Sequence, residues 1–218
     1  MKSITKKALV TGMALAGSVQ AAPLYITQWS VGVNTYFDTN SILPTSGITS
    51  TGDPATSLNW GTPAVDGGSQ SGLDIGNTPT TSTVETSILP NLLAPGSNVT
   101  IIHRNQPIFA PSLASVDIIS ALTLTPTNPL NGAQLGPVNQ TFKITFLETP
   151  NNPTNNICAD GSSRLTDPLN ANGCADIFVI DRSALNFAFQ YAAIVEDGLG
   201  NLSFSQTETT TYSSAFLK

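Results

Sequence analysis

Apolar and polar residues alternate at period two in three long stretches. In Leu24–Phe37, Thr27, Trp29, Val31, Val33, Thr35 and Phe37 fall on one face, and Gln28, Ser30, Gly32 and Asn34 on the other. In Ser115–Thr125, Val116, Ile118, Ser120, Leu122 and Leu124 share a face. In Gln140–Glu148 the shared residues are Phe142, Ile144 and Phe146. Such alternation predicts half-buried strands, with one face on a core and one on solvent. A helix over 112–121 competes with the second, but the Leu-Thr-Leu-Thr-Pro ending favours a strand.

Shorter extended segments lie between and after these. Ser57–Pro63 stops at Gly61 and Pro63, and Ser71–Ile75 puts Leu73 and Ile75 on one side. Thr83–Leu89 ends at Pro90, and Asp176–Asp181 reads as a buried strand. Asn186–Val195, Asn201–Thr207 and Thr210–Leu217 complete the chain. Asp38–Asp53, Pro126–Pro137 and Thr149–Gly173 read as connections, the last the longest irregular stretch. Such a long loop in a compact domain is functional, clipped, or both. About ten or eleven strands without an amphipathic helix predict an all-β, antiparallel β-sandwich. Jelly-roll-like connectivity is the first expectation and an immunoglobulin-like sandwich the second.

The central Val99–Ile108 holds the only histidine, His103. As a strand it places Val99, Ile101 and His103 on one face and Thr100, Ile102 and Arg104 on the other. Pro107 closes it. Asn105 reads as an Asx-type turn residue before that proline.

The N-terminus changes the compartment. Lys2, Lys6 and Lys7 precede an uncharged, mostly apolar or small run from Ala8 to Val19, and Val19-Gln20-Ala21 has the small residues of a cleavage site. Residues 1–21 are expected to be a signal peptide, since the run is shorter than the ~20 residues that span a bilayer. Cleavage leaves 197 of the 218 residues, 22–218, as a single domain with no membrane span. Removing the three lysines takes the formal net charge from −6 to −9. So acidic a chain is poorly matched to nucleic acid or an anionic membrane. Charged residues make up only 10%, against about 25% in an average protein, and Ser, Thr, Asn, Gly and Pro replace them. That is the composition of an exported β-protein. In an oxidising compartment Cys158 and Cys174 most simply form one disulfide. Closing 15 intervening residues stabilises by about 3 kcal/mol on the chain-entropy account. Two cysteines and a distant histidine do not make a zinc site.

Five segments, in order, carry a family resemblance: Leu58-Asn-Trp-Gly61, Gln70-Ser-Gly-Leu73, Ile102-His-Arg-Asn-Gln-Pro-Ile108, Phe146-Leu-Glu-Thr-Pro-Asn151 and Cys174-Ala-Asp-Ile-Phe-Val179. Together they resemble the THxN family of bacterial exported proteins, many of which bear a C-terminal PEP-CTERM sorting signal. The resemblance marks Trp60, Gly61, His103, Asn105, Pro107, Glu148, Asn151 and Asp176 as signature residues. It implies a secreted, exopolysaccharide-associated protein and no nameable enzyme activity. The family threonine before the histidine is Ile102 here, an aliphatic expected to pack. After Asn201 no sorting signal is recognisable, so the family's anchoring is not carried over.

Each candidate chemistry has a plainer structural reading. A hydrolase would centre on His103, but the chain has no Gly-x-Ser-x-Gly. A glycosidase needs paired carboxylates, for which Glu148 and Asp176 flank the irregular loop; Glu148 also suits a turn or cap. Calcium could use Asp160, Asp167 and Asp176 with Asn155, Asn156 and Asn170, although their spacing fits no calcium loop. Trp29 or Trp60 could form an exposed sugar platform, though tryptophan is usually buried. The expectation is a secreted, non-enzymatic structural or interaction protein of the extracellular matrix or cell envelope, extracellular or alternatively periplasmic. Its partners would be extracellular polysaccharide or other exported proteins, and it would need no cofactor. A carbohydrate- or calcium-binding module is the alternative, and a hydrolase centred on His103 the weaker one.

Overall fold

The computed structural model describes residues 23–24, 26–86, 96–128, 134–167, 174–181, 186–196 and 202–213. The expected signal peptide, its cleavage site, and Asn170 lie outside them. The described residues form fourteen strands: β1 (Pro23–Leu24), β2 (Gln28–Leu43), β3 (Ile48–Gly52), β4 (Ala55–Trp60), β5 (Thr62–Pro63), β6 (Ser71–Gly76), β7 (Thr80–Glu85), β8 (Thr100–Arg104), β9 (Ile108–Phe109), β10 (Ser115–Asn128), β11 (Leu135–Leu147), β12 (Ile177–Ile180), β13 (Asn186–Glu196) and β14 (Leu202–Ser213). All pairings between them are antiparallel.

Two sheets face each other as a β-sandwich. One is five-stranded, in the order β12-β11-β10-β2-β7, and the other four-stranded, β3-β4-β6-β8. Their inner faces meet in one core: Phe37, Val116, Ile118, Phe142, Ile144 and Phe146 from the first against Leu58, Trp60, Leu73 and Ile75 from the second. The alternation of β2, β10 and β11 dictates this, because residues two apart on a strand share a face. A two-stranded pair, β5-β9, and a three-stranded sheet, β1-β13-β14, complete the pairings.

The inner face of the five-stranded sheet carries a second cluster of Trp29, Val31, Val33, Leu122 and Leu124. Between the two clusters stand Thr35 and Ser120, paired across β2 and β10, both buried, with their hydroxyls 3.1 Å apart. A buried hydroxyl costs little when paired and about 1–3 kcal/mol when its partner is removed. Thr35→Val and Ser120→Ala are each expected to destabilise by about that amount, and the double variant by clearly less than the sum. Urea unfolding of the four proteins measures the cycle, and strict additivity would refute the pairing.

Several sequence boundaries move. Asp38–Asp53 is not a plain connection: β2 runs on to Leu43, and β3 follows with Thr49, Ser50 and Thr51 exposed. β10 and β11 extend into the expected 126–137 loop. The strand expected at Thr83–Leu89 is β7, with residues 87–89 outside the description. Among the described residues the two final segments are one strand, β14, with 201 and 214–217 outside them. The Asp176–Asp181 segment is an edge strand rather than a buried one, with Phe178 40% and Val179 61% exposed. Ile102 does not pack as expected; it points outward and is 48% exposed.

Candidate functional site

Five strand ends meet at one end of the sandwich. β4 finishes at Trp60, β6 begins at Ser71 and β8 finishes beyond His103, while β11 leads into Glu148 and Asp176 leads into β12. Register brings the first three together: Trp60 pairs with Ser71, and Leu73 with His103. The 149–167 stretch leaves from this corner, and Cys174 lies back at it.

His103 faces inward, on the side of Val99 and Ile101, both packed on the core. Its ring lies parallel to Trp60, centroids 6.2 Å apart and planes 8° from parallel. Phe146 meets both rings edge-on at 5.1 Å, and Phe178 meets His103 edge-on at 6.5 Å. The imidazole is thus walled by three aromatics. Its Nε2 lies 3.5 Å from Asp176 Oδ2, whose side chain is 0% exposed.

The two carboxyl groups are tied to the corner differently. Glu148 Oε2 accepts from Trp60 Nε1 at 3.5 Å. Asp176 Oδ1 accepts the backbone N–H of Thr149 at 2.8 Å, and Thr149 Oγ1 donates to Ala175 O at 3.1 Å. Asn105 Nδ2 donates to Cys174 O at 3.1 Å, and Cys174 N donates to Asn151 O. Asn105 is therefore no Asx turn; it bonds across the sandwich to a residue 69 positions away. His103 Nε2, Asp176 Oδ2 and Asn105 Oδ1 are buried without a well-formed hydrogen bond.

Burial sets the protonation states. It pushes Glu148 up to about 7, helped by the nearby Asp176 charge and opposed by the Trp60 hydrogen bond. Burial also raises Asp176, against the two hydrogen bonds from Thr149. It lowers His103, as does the positive charge of Arg104. The imidazole is neutral at neutral pH, so its closeness to Asp176 is not an ion pair.

The other signature residues surround this corner. Gly61 has φ +78° and sits against Ile108, leaving no room for a Cβ, and its carbonyl accepts from Gln70 Nε2 at 2.8 Å. Pro107 O accepts the N–H of Ala64, and Asn151 O accepts from Cys174 N and Arg164 Nε. The Cys158–Cys174 disulfide is formed and buried. A disulfide suits a compartment outside the reducing cytosol.

On the opposite face of β8, Arg104 lies across the four-stranded sheet. Its Nε donates to Asp74 Oδ2 at 2.6 Å and its Nη2 to Asn59 Oδ1 at 2.8 Å. Gly72, opposite Arg104, leaves the space: a Cβ there would stand 2.3 Å from the guanidinium. Burial works against the Asp74 carboxylate, but the hydrogen bonds from Arg104 and Ser57 and the Arg104 charge outweigh it and lower its pKa. The alternation puts Phe146 on the inner face, and Thr149, Phe178 and Arg104 stand in the resemblance segments, but nothing in the sequence marks Thr149, Phe146 or Phe178 as neighbours of this corner or Arg104 as the partner of Asp74. Only a register could have found them.

One sequence candidate is overturned, and others are placed apart. Trp29 and Trp60 are buried core residues, 4% and 0% exposed, so neither is a sugar platform. The calcium candidates do not converge. Asp160 is an exposed turn residue whose Oδ1 accepts from Ser162 N and Oγ, Asn155 closes a similar turn, and Asp176 faces His103. Among the described residues no group of three or more His, Cys, Asp or Glu side chains is placed to hold a metal ion. Among them, too, no helix is long and apolar enough to cross a membrane.

Compared with protein-family models, curated proteins and solved structures, the chain matches none.

Proposed function

We propose that this chain is an exported, non-enzymatic structural or interaction protein of the extracellular matrix or cell envelope, associated with exopolysaccharide as its THxN resemblance implies. One observation carries the non-enzymatic reading. Of the groups that could do chemistry, the His103 ring is walled by Trp60, Phe146 and Phe178 and its side chain is only 14% exposed, and Glu148 is half-buried with its carboxyl on the Trp60 indole. Asp176 has no solvent exposure and spends one oxygen on the Thr149 amide. A general base must reach the proton it abstracts. Here Asp176, on the Thr149 amide, and Asn105, on the Cys174 carbonyl, instead fasten the ends of the disulfide loop to the sandwich. The N-terminal segment and the disulfide support export.

The test has two arms. The protein expressed with its N-terminal segment should be recovered outside the cytosol beginning at Ala22, as read by mass spectrometry; an intact N-terminus sinks the export claim. The mature protein on a glycan array should bind extracellular polysaccharides and leave them uncleaved. Release of new reducing ends, lost in His103→Gln, would replace this reading with a hydrolase.

A further inference from the structure

We propose that the two ends of the disulfide-clipped loop, at Thr149 and Cys174, are latched to the sandwich by a proton-dependent corner, in which His103, Glu148 and Asp176 act as one largely buried titrating unit. The inference is independent of the export and matrix reading.

The geometry carries it. Three ionisable side chains from three chain segments converge where the loop both leaves and returns. Glu148 immediately precedes Thr149, whose amide donates to Asp176 Oδ1 at 2.8 Å. Asp176 is two residues from Cys174, which is held by its disulfide, by Asn105 Nδ2 on its carbonyl and by its own N–H on Asn151 O. Any force on either carboxyl therefore falls on the loop's two anchor points.

Among the described residues the charged groups around the unit are few. From β8 come His103 and, on the outer face, Arg104 with its partner Asp74 of β6. From the loop comes Arg164, whose Nε donates to Asn151 O at 3.3 Å. From β4 comes only the uncharged Trp60 donor. None of these places a cation in direct contact with either carboxyl.

With Glu148 protonated, the corner holds at most one negative charge. Above about 7 Glu148 takes on its charge beside the Asp176 carboxyl, whose charge opposes it, while burial keeps the imidazole neutral. A raised carboxyl favours the closed corner below its shifted value, and that preference is lost as pH rises through about 7. A lowered imidazole works the other way: its contribution is complete above the ordinary value of 6.5 and is lost as pH falls from there through its depressed value. The latch is tightest between the two.

Amide hydrogen exchange of the full, oxidised protein tests this. Protection of the Thr149 and Cys174 amides, corrected for intrinsic exchange, should fall about tenfold between about pH 5.5 and about pH 8.5. Amides of β10 and β11 should keep theirs. Glu148→Gln preserves shape without the charge, and should hold Thr149 protection constant over that range. Constant protection in the unaltered protein would overturn the latch. So would an unchanged pH dependence in Glu148→Gln, or a parallel loss in β10 and β11. Should that variant not fold, the side-chain carboxyl of Glu148 can be titrated by carbon NMR in the unaltered protein. A midpoint matching the loss of Thr149 protection supports the latch, and one at the ordinary carboxylate value overturns it.

Discussion

Trp60→Ala is expected to destabilise the protein by about 3–5 kcal/mol, the usual cost of deleting a buried large aromatic. The side chain is wholly buried and belongs to the main core. Removing it takes away the parallel partner of His103, the edge-on partner of Phe146 and the donor to Glu148 Oε2. The last loss adds to the cavity: Glu148 would keep its burial and lose its one opposing contribution, the indole hydrogen bond. The loss should therefore grow with pH from about 5 to about 8, as Glu148 takes on charge. Trp60→Phe separates the two parts by keeping a ring without the N–H. Denaturant unfolding at both pH values measures this. A loss below about 1 kcal/mol in Trp60→Ala would mean that the corner collapses to fill the space, and that Trp60 is not its keystone.

The second large effect belongs to the disulfide. Replacing Cys158 and Cys174 together by serine is expected to cost about 3 kcal/mol, since the closed loop restricts the unfolded chain. The double substitution leaves no free thiol. It also retains the backbone bonds of residue 174 to Asn105 and Asn151, so the effect reports closure rather than loss of the anchor. Buried serines replacing a buried cystine add a polar penalty of the same sign. Guanidinium unfolding under non-reducing conditions gives the difference. Equal midpoints for the two proteins would show that the native hydrogen bonds alone hold the segment.

Strands whose inner residues are apolar were legible. The alternation in β2, β10 and β11 names the buried residues correctly from Trp29 to Phe37, from Val116 to Leu124 and from Phe142 to Phe146. β3 escaped because Thr49, Ser50 and Thr51 bury nothing, so no period marks them; their pairing with β4 makes the strand. β12 misled for the opposite reason. Ile177-Phe-Val-Ile180 has the composition of a central strand, but hydrophobicity cannot say whether a second neighbour lies alongside. The sequence placed His103 on the face of Val99 and Ile101, and the structure turns that face to the core. The partners of His103 come from segments far along the chain, and nothing local encodes that juxtaposition. Ile102 illustrates the same limit. An aliphatic in place of the family threonine suggests packing, yet it stands in solvent on the side of Arg104.

The placement of the two tryptophans gives the corner an optical signal. Trp29 donates its indole N–H to the Thr86 hydroxyl at 3.0 Å, a partner that does not titrate in the working range. Trp60 donates to a carboxyl and lies flat against an imidazole. An excited indole is quenched by a neighbouring protonated acid and is indifferent to a hydroxyl. Trp60 emission is therefore expected to change as its neighbours gain or lose protons. The molecule carries its own fluorescent readout of the charge state at the foot of its clipped loop, with no label attached.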